Sequence, residues 1–168
     1  MQQMVVLVDQ NNKRIGIMEK LKAHVEGNLH RAFSIFVFNS KGELLIQQRA
    51  KTKYHSSSLW SNTVCSHPRP DEEYHKATHR RLMEEMGFDC KLKKLFCFIY
   101  KSELGNGLIE NEYDCVFRGS YDGEIKTNPK EVMKYRWINL DELKEDIKKS
   151  PDKYSVWLKI VLKDKRLK

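Results

Sequence analysis

Cys65 and His67 stand two residues apart in the run Leu59-Trp60-Ser61-Asn62-Thr63-Val64-Cys65-Ser66-His67-Pro68. In an extended segment, residues i and i+2 face the same way, so a thiol and an imidazole can share one wall of a pocket. Taken alone, Cys65 reads equally well as an inert packed thiol, because free cysteine is among the most buried residue types. Glu110 and Glu112 repeat this spacing after a Gly105-Asn106-Gly107 turn. Two carboxylates so close raise each other's pKa unless a cation lies between them. The pair is therefore a metal site, a proton carrier with its partner, or an exposed acidic strand end. His24 and His30 lie in a connection ahead of a strand, and each alone reads as a surface group. With His67 and the two glutamates they make three nitrogen donors and up to four carboxylate oxygens. Such a set suits a five- or six-coordinate divalent ion, Mn²⁺, Zn²⁺ or Mg²⁺, better than a closed tetrahedral site.

A further cluster is Arg80-Arg81-Leu82-Met83-Glu84-Glu85-Met86-Gly87-Phe88. Arg81 and Glu85 are one helical turn apart and share a face. Adjacent carboxylates at the end of a helix can hold Mg²⁺ and, through it, a diphosphate; they can also be an ordinary surface salt bridge.

These groups need elements to hold them. Val5-Val6-Leu7-Val8 and Arg14-Ile15-Gly16-Ile17 flank a polar Asp9-Gln10-Asn11-Asn12-Lys13 loop and predict a hairpin. Ala32-Phe33-Ser34-Ile35-Phe36-Val37-Phe38 and Glu43-Leu44-Leu45-Ile46-Gln47-Gln48, joined by Asn39-Ser40-Lys41-Gly42, predict a second. Further strands are expected at residues 94–101, 112–118 and 135–138. Asp71 is placed to cap a helix over residues 72–86, which Gly87 would close in a left-handed conformation. Two more helices are expected at residues 141–149 and 152–163. Strands interrupted by one central helix, with helices at the end, predict an α/β/α layered domain with a mixed, largely antiparallel sheet.

The chain has 168 residues, of which 40% are apolar, enough for one sizeable core and short for two domains. The apolar run Val5–Val8 has no basic leader and is far below the length of a signal or membrane segment, so a cytoplasmic protein without membrane insertion is expected. Cys65, Cys90, Cys97 and Cys115 form no CxxC pair, and reduced cysteines are the expectation. The net charge of +8 fits nucleic acid, a membrane surface or a small phosphorylated substrate. Much of the basic excess lies in the C-terminal stretch, which reads as a solvated helix end.

The box of the Nudix superfamily runs from a glycine through a glutamate to Arg-Glu-apolar-x-Glu-Glu-x-Gly-apolar. Here Ser66, Glu72 and Arg80 to Phe88 resemble it, with Ser66 in place of the glycine and Arg81 in place of the first glutamate of the Arg-Glu pair. Together with Trp60 to Pro68 and Glu110-Asn111-Glu112, in this order, the pattern resembles the type 1 isopentenyl-diphosphate isomerases, a branch of that superfamily. The resemblance implies the superfamily's α/β fold. It implies Cys65 and Glu112 as proton carriers assisted by Tyr100, and metal ligands at His24, His30, His67, Glu110 and Glu112. It also implies a second Mg²⁺ held by Glu85 and bridged to the diphosphate. Lys20, Arg49, Lys53 and Arg81 match the family's diphosphate-binding cations, and a group of about three negative charges does want several fixed donors. Trp157 matches an aromatic that faces a carbocation. The partner implied is an isoprenoid diphosphate, with no nucleic acid, and a monomer or weak dimer is expected.

Two other readings give different chemistry. A Nudix hydrolase of a nucleoside diphosphate compound fits the box but not Arg81. A basic RNA-binding module would want exposed aromatics among lysines, whereas Trp60, Trp137 and Trp157 lie in apolar or motif surroundings.

Overall fold

The structure, a computed structural model, describes residues 3–53 and 55–167. In chain order the elements are β1 (Met4–Val8), β2 (Arg14–Glu19), α1 (Lys20–Glu26), β3 (His30–Phe38), β4 (Leu44–Arg49), β5 (Trp60–Ser61) and β6 (Val64–Ser66). There follow α2 (Tyr74–Met86), β7 (Leu92–Gly105), β8 (Leu108–Ser120), β9 (Val132–Ile138), α3 (Leu140–Lys149) and α4 (Val156–Val161).

β3 is apolar at nearly every position, the pattern of a strand covered on both faces. Its alternate side chains divide the core accordingly. Phe33, Ile35 and Val37 pack with Ala77, Leu82 and Met86 of α2. Phe36 and Phe38 face the other way, among Leu143 of α3 and Leu158 and Val161 of α4. Helices thus cover both faces of the sheet, which is the expected α/β/α layering.

β8 runs parallel along one whole edge of β3, from His30 opposite Glu112 to Phe38 opposite Ser120. The other edge takes β1 at His30, β6 at Phe33 to Ile35 and β4 at Phe38. Those three pairings, β1 with β2, β4 with β9 and β7 with β8 are antiparallel, so the sheet is mixed and largely antiparallel as expected.

Several local expectations are corrected. Helix α2 begins at Tyr74 behind Glu73, and Asp71 does not cap it. Asp71 sits instead at φ 63° and pairs with Arg14 of β2 at 2.6 Å. Glu72 folds back onto Arg80, accepting from Nε and Nη2 at 2.7 Å each. The single helix expected over residues 152–163 is split into a short turn at Pro151–Lys153 and α4. The break arises because Ser155 N–H donates to Trp60 O at 2.9 Å, which holds Tyr154 and Ser155 extended beside β5. Cys97 and Cys115, directly opposite in β7 and β8, are joined by a disulfide with Cα atoms 4.1 Å apart. This corrects the expectation of four reduced cysteines; Cys65 and Cys90 are free. Gly87 does end α2 at φ 74°, and a Cβ there would meet Lys126 O at 2.2 Å, so backbone proximity as well as dihedral demands glycine. Among the described residues no helix is long and apolar enough to cross a membrane.

Candidate active site

Helix α1 converts the first hairpin into a wall of the site. Glu19 ends β2, and its carboxylate caps the helix by accepting from Leu21 N–H at 3.1 Å and Lys22 N–H at 2.9 Å. Gly27, at φ 66°, closes it. Lys20 and His24 are one turn apart, so both reach the same side. His24 is fully buried and its Nδ1 lies 2.8 Å from Lys20 O. His30 opens β3 with Nδ1 2.8 Å from Asn28 O. In both rings this ties Nδ1 to a backbone carbonyl and turns Nε2 the other way, the arrangement that orients ligating histidines.

His67 follows β6 and crosses to β8, where its Nε2 lies 2.9 Å from Glu112 Oε1. His30 Nε2 is 3.7 Å from the same oxygen and is buried with no hydrogen-bond partner among the described residues. Tyr100, opposite Glu112 in the β7 and β8 ladder, donates its hydroxyl to Glu110 at 3.0 Å and to Glu112 at 2.7 Å. His24, His30, His67 and Glu112 each offer a donor atom, all within 4.8 Å of one another; Glu110 forms a second such group with His24 and His55. An orphaned buried nitrogen among neutral imidazoles and carboxylates is what a divalent cation would satisfy, so the donor set fits the expected metal.

A cleft of about 830 Å³ opens above this cluster. Cys65, His67, Glu110, Glu112 and Trp157 line its interior, while Lys20, Arg49, Lys53 and Arg81 bring four cations to it. Burial, followed by the positive field of Lys53, Arg49 and Arg81, lowers the Lys20 pKa to about 8. A site that strains a lysine this way gains by accepting a polyanion. Arg69, Arg80 and Lys130 add to the same wall. Lys53 pairs with Glu131, which also lies 3.4 Å from Arg81.

The proton states differ across the cleft. Burial, with Asp114 nearby, pushes the Cys65 thiol well above its ordinary range, and Sγ donates to Asn62 Oδ1 at 2.9 Å. Burial and then the charge of Glu112 raise Glu110. Burial would raise Glu112 too, but the nearby His30 and the hydrogen bond with His67 outweigh it and hold that carboxyl well below the usual range. Trp157 is locked by Nε1, which donates to Ser61 Oγ at 2.8 Å and Asn62 Oδ1 at 3.1 Å, and Arg49 lies 5.3 Å over its ring.

Burial, and then His30, lower the His24 pKa from 6.5 to about 4. Between those values an unfolded chain takes up a proton that the folded one refuses, so this histidine's contribution to stability falls as pH falls from 6.5 to about 4. Glu110 and Asp114, raised by burial, act in the opposite sense, so the expectation concerns a difference. In metal-free protein, the stability gap between wild type and His24→Gln should narrow toward pH 4 by about 1.4 kcal/mol per pH unit. Urea midpoints across that range check it, and a gap constant with pH would show that His24 titrates normally.

Of the residues singled out from the sequence, one stands apart. Glu85 is buried, but its oxygens accept from Gln47 at 2.9 Å and Arg81 at 2.5 Å, and it joins neither donor group. Sequence reasoning missed His55, which lies among lysine and serines with no chemical neighbour to mark it, and Asp114, the next same-face position after Glu112 on β8. Asp114 is fully desolvated and accepts from Ser34 Oγ at 2.8 Å.

The family model of the NUDIX domain matches residues 28–158. An isopentenyl-diphosphate Delta-isomerase 2 of Aromatoleum aromaticum is 52% identical over 158 residues, covering 94% of this chain and 84% of the relative. Another of the same name, from Photorhabdus laumondii, is 53% identical and covers 96% of this chain and 92% of the relative. In solved structures, a crystal structure from Deinococcus radiodurans superposes with a TM-score of 0.79 at 20% identity, covering 95% of this chain and 97% of that one. The MutT protein of Methanosarcina mazei gives 0.65 at 18% identity, covering 80% and 90%, so the likeness there is one of fold. On these relatives the chain belongs to the isopentenyl-diphosphate Delta-isomerase family, built on a NUDIX domain.

Proposed function

We propose that this chain interconverts isopentenyl diphosphate and dimethylallyl diphosphate in isoprenoid biosynthesis. An unactivated alkene must gain a proton at one carbon and lose one two carbons away, so an acid and a base must face a single slot. The observation that carries this reading is one cleft that holds a thiol kept protonated, Cys65, and a carboxyl kept ionised, Glu112. In the direction that forms dimethylallyl diphosphate, Cys65 Sγ would give its proton to the terminal carbon and Glu112 would take one from the other side. Tyr100, which donates to both Glu110 and Glu112, can pass that proton on.

Protonation leaves a tertiary carbocation that water would trap, so the inner cleft must offer electrons without a nucleophile. The Trp157 ring can do so, at on the order of 2 kcal/mol for a desolvated cation. Lys20, Arg49, Lys53 and Arg81 would grip the diphosphate. His24, His30, His67, Glu110 and Glu112 would hold a divalent ion, Mn²⁺, Zn²⁺ or Mg²⁺, whose charge favours the ionised state of the two glutamates. Glu85 would serve a second Mg²⁺ carried in with the diphosphate. The protein would act in the cytoplasm, as a monomer or weak dimer.

A hydrolase would need water poised at phosphorus and a full set of box carboxylates gathering metal. Arg81 instead ties up Glu84 at 2.7 Å and Glu85 at 2.5 Å. Pure protein incubated with isopentenyl diphosphate and Mg²⁺ or Mn²⁺ should yield dimethylallyl diphosphate, and a chelator should stop it. No product from metal-loaded protein would overturn the proposal.

A further inference from the structure

His55, in the connection between β4 and β5, has no role in the account above, yet it reaches the same cluster. Its Nε2 lies 3.9 Å from Glu110 Oε1, and its ring stacks on His24 with centroids 5.6 Å apart and planes 29° from parallel. The side chain is 7% exposed, and the Trp157 ring meets it edge-on at 6.2 Å. With His24 and Glu110 it offers one of three donor atoms lying within 4.8 Å of one another, and His24 also belongs to the group of His30, His67 and Glu112. The two groups therefore share His24, which sets the second directly beside the first.

The orientation of His55 repeats that of its neighbours. Its Nδ1 lies 3.2 Å from Ser56 Oγ, as Nδ1 of His24 and of His30 lie against carbonyl oxygens, and its other nitrogen is the one near the carboxylate. The backbone around it is pinned, since Arg49 donates from Nε to Ser56 O at 3.1 Å and from Nη2 to His55 O at 3.3 Å. A ring held by one nitrogen and directed inward by the other is how ligating histidines are positioned. Ligand bonds of about 2.0–2.2 Å place donor pairs roughly 3 to 4 Å apart, a span that includes the His55 to Glu110 separation.

We propose that His55 is a sixth protein donor to the metal centre, entering on the Glu110 side and giving it four imidazoles and two carboxylates. The proposal rests on the reading of His24, His30, His67, Glu110 and Glu112 as a metal centre. Two consequences follow from the chemistry of the set. A nitrogen-rich site favours Zn²⁺ or Co²⁺ over Mg²⁺, which prefers oxygen. A site filled by six protein donors leaves no place for a bound water, so the ion would act through its charge alone. Next to a cleft where a carbocation forms, that exclusion protects the product.

The test uses full-length protein loaded with Co²⁺ or Zn²⁺, in wild type, His55→Ala and His55→Asn, with His67→Ala as a control for the centre itself. Wild-type Co²⁺ protein should show four exchangeable, paramagnetically shifted imidazole N–H signals by NMR, and both His55 variants three. Competition with a coloured chelator should show Zn²⁺ bound about 10–100-fold more weakly by the His55 variants, with Mg²⁺ affinity little changed. Thermal melts of the metal-free variants separate loss of a ligand from loss of fold, and the asparagine variant keeps a polar group in the same space. Uptake of Co²⁺ with three such signals in wild type, or with signals and Zn²⁺ affinity unmoved in either His55 variant, overturns the role of His55 and leaves the five-ligand centre standing. Failure of wild type to take up either ion removes the centre itself, and His55 with it.

Discussion

Cys65→Ala is expected to lower isomerisation about 10³-fold, within the roughly 10²–10⁴-fold that a positioned general acid contributes. Alanine removes the only cysteine that lines the cleft among the described residues. It leaves the metal donors in place, because Cys65 belongs to neither group of candidate ligands. Metal content and melting temperature should therefore stay near wild type while kcat collapses, and that combination separates a proton carrier from a packing residue. Cys65→Ser should restore little, since a hydroxyl is a far weaker acid than a thiol. Rates and metal content measured on the same samples decide it, and a Cys65→Ala enzyme retaining more than a tenth of wild-type turnover would mean that the thiol is only packed.

Glu112→Gln should be at least as damaging, and in a different way. The carboxylate accepts from Tyr100, contacts His67 at 2.9 Å and lies 3.7 Å from His30, so under the proposed function it would serve proton transfer and metal binding together. The amide keeps the shape but cannot take a proton, and it loses the charge that the imidazoles surround. Turnover should fall by about 10³-fold or more, and metal content should fall with it. If the two residues act as one acid-base unit, the double variant should be little worse than Glu112→Gln alone. Full metal occupancy with normal turnover in Glu112→Gln would remove this residue from both roles.

What was legible in the sequence depended on whether the signal was local. The two-residue spacings of Cys65 with His67 and of Glu110 with Glu112 put each pair on one side, and β6 with the residue that follows it, and β8, bring them to the cleft. The apolar run of residues 32–38 marked β3 as a strand for the same reason. Helix α1 was missed because it is short and exposes Leu21 and Val25. It stands on the Glu19 cap and its contacts with β8 rather than on any apolar stripe. The break at Tyr154 and Ser155, the diversion of Asp71 to Arg14 and the meeting of Cys97 with Cys115 all come from partners distant in the chain. A pattern read over a dozen residues does not contain them. His55 is the same kind of case within the site: its sequence context is polar and featureless, and only the path of the β4 to β5 connection brings it to Glu110.

The central claim is that the carbon skeleton exchanges protons while the diphosphate stays whole, and one measurement in heavy water addresses it. Isopentenyl diphosphate is incubated in D₂O with metal-loaded protein, and proton and phosphorus NMR follow the mixture together. The account predicts dimethylallyl diphosphate carrying deuterium at carbon, with inorganic phosphate and diphosphate at background. Release of phosphate or diphosphate with no deuterium entering the isoprenoid would contradict it.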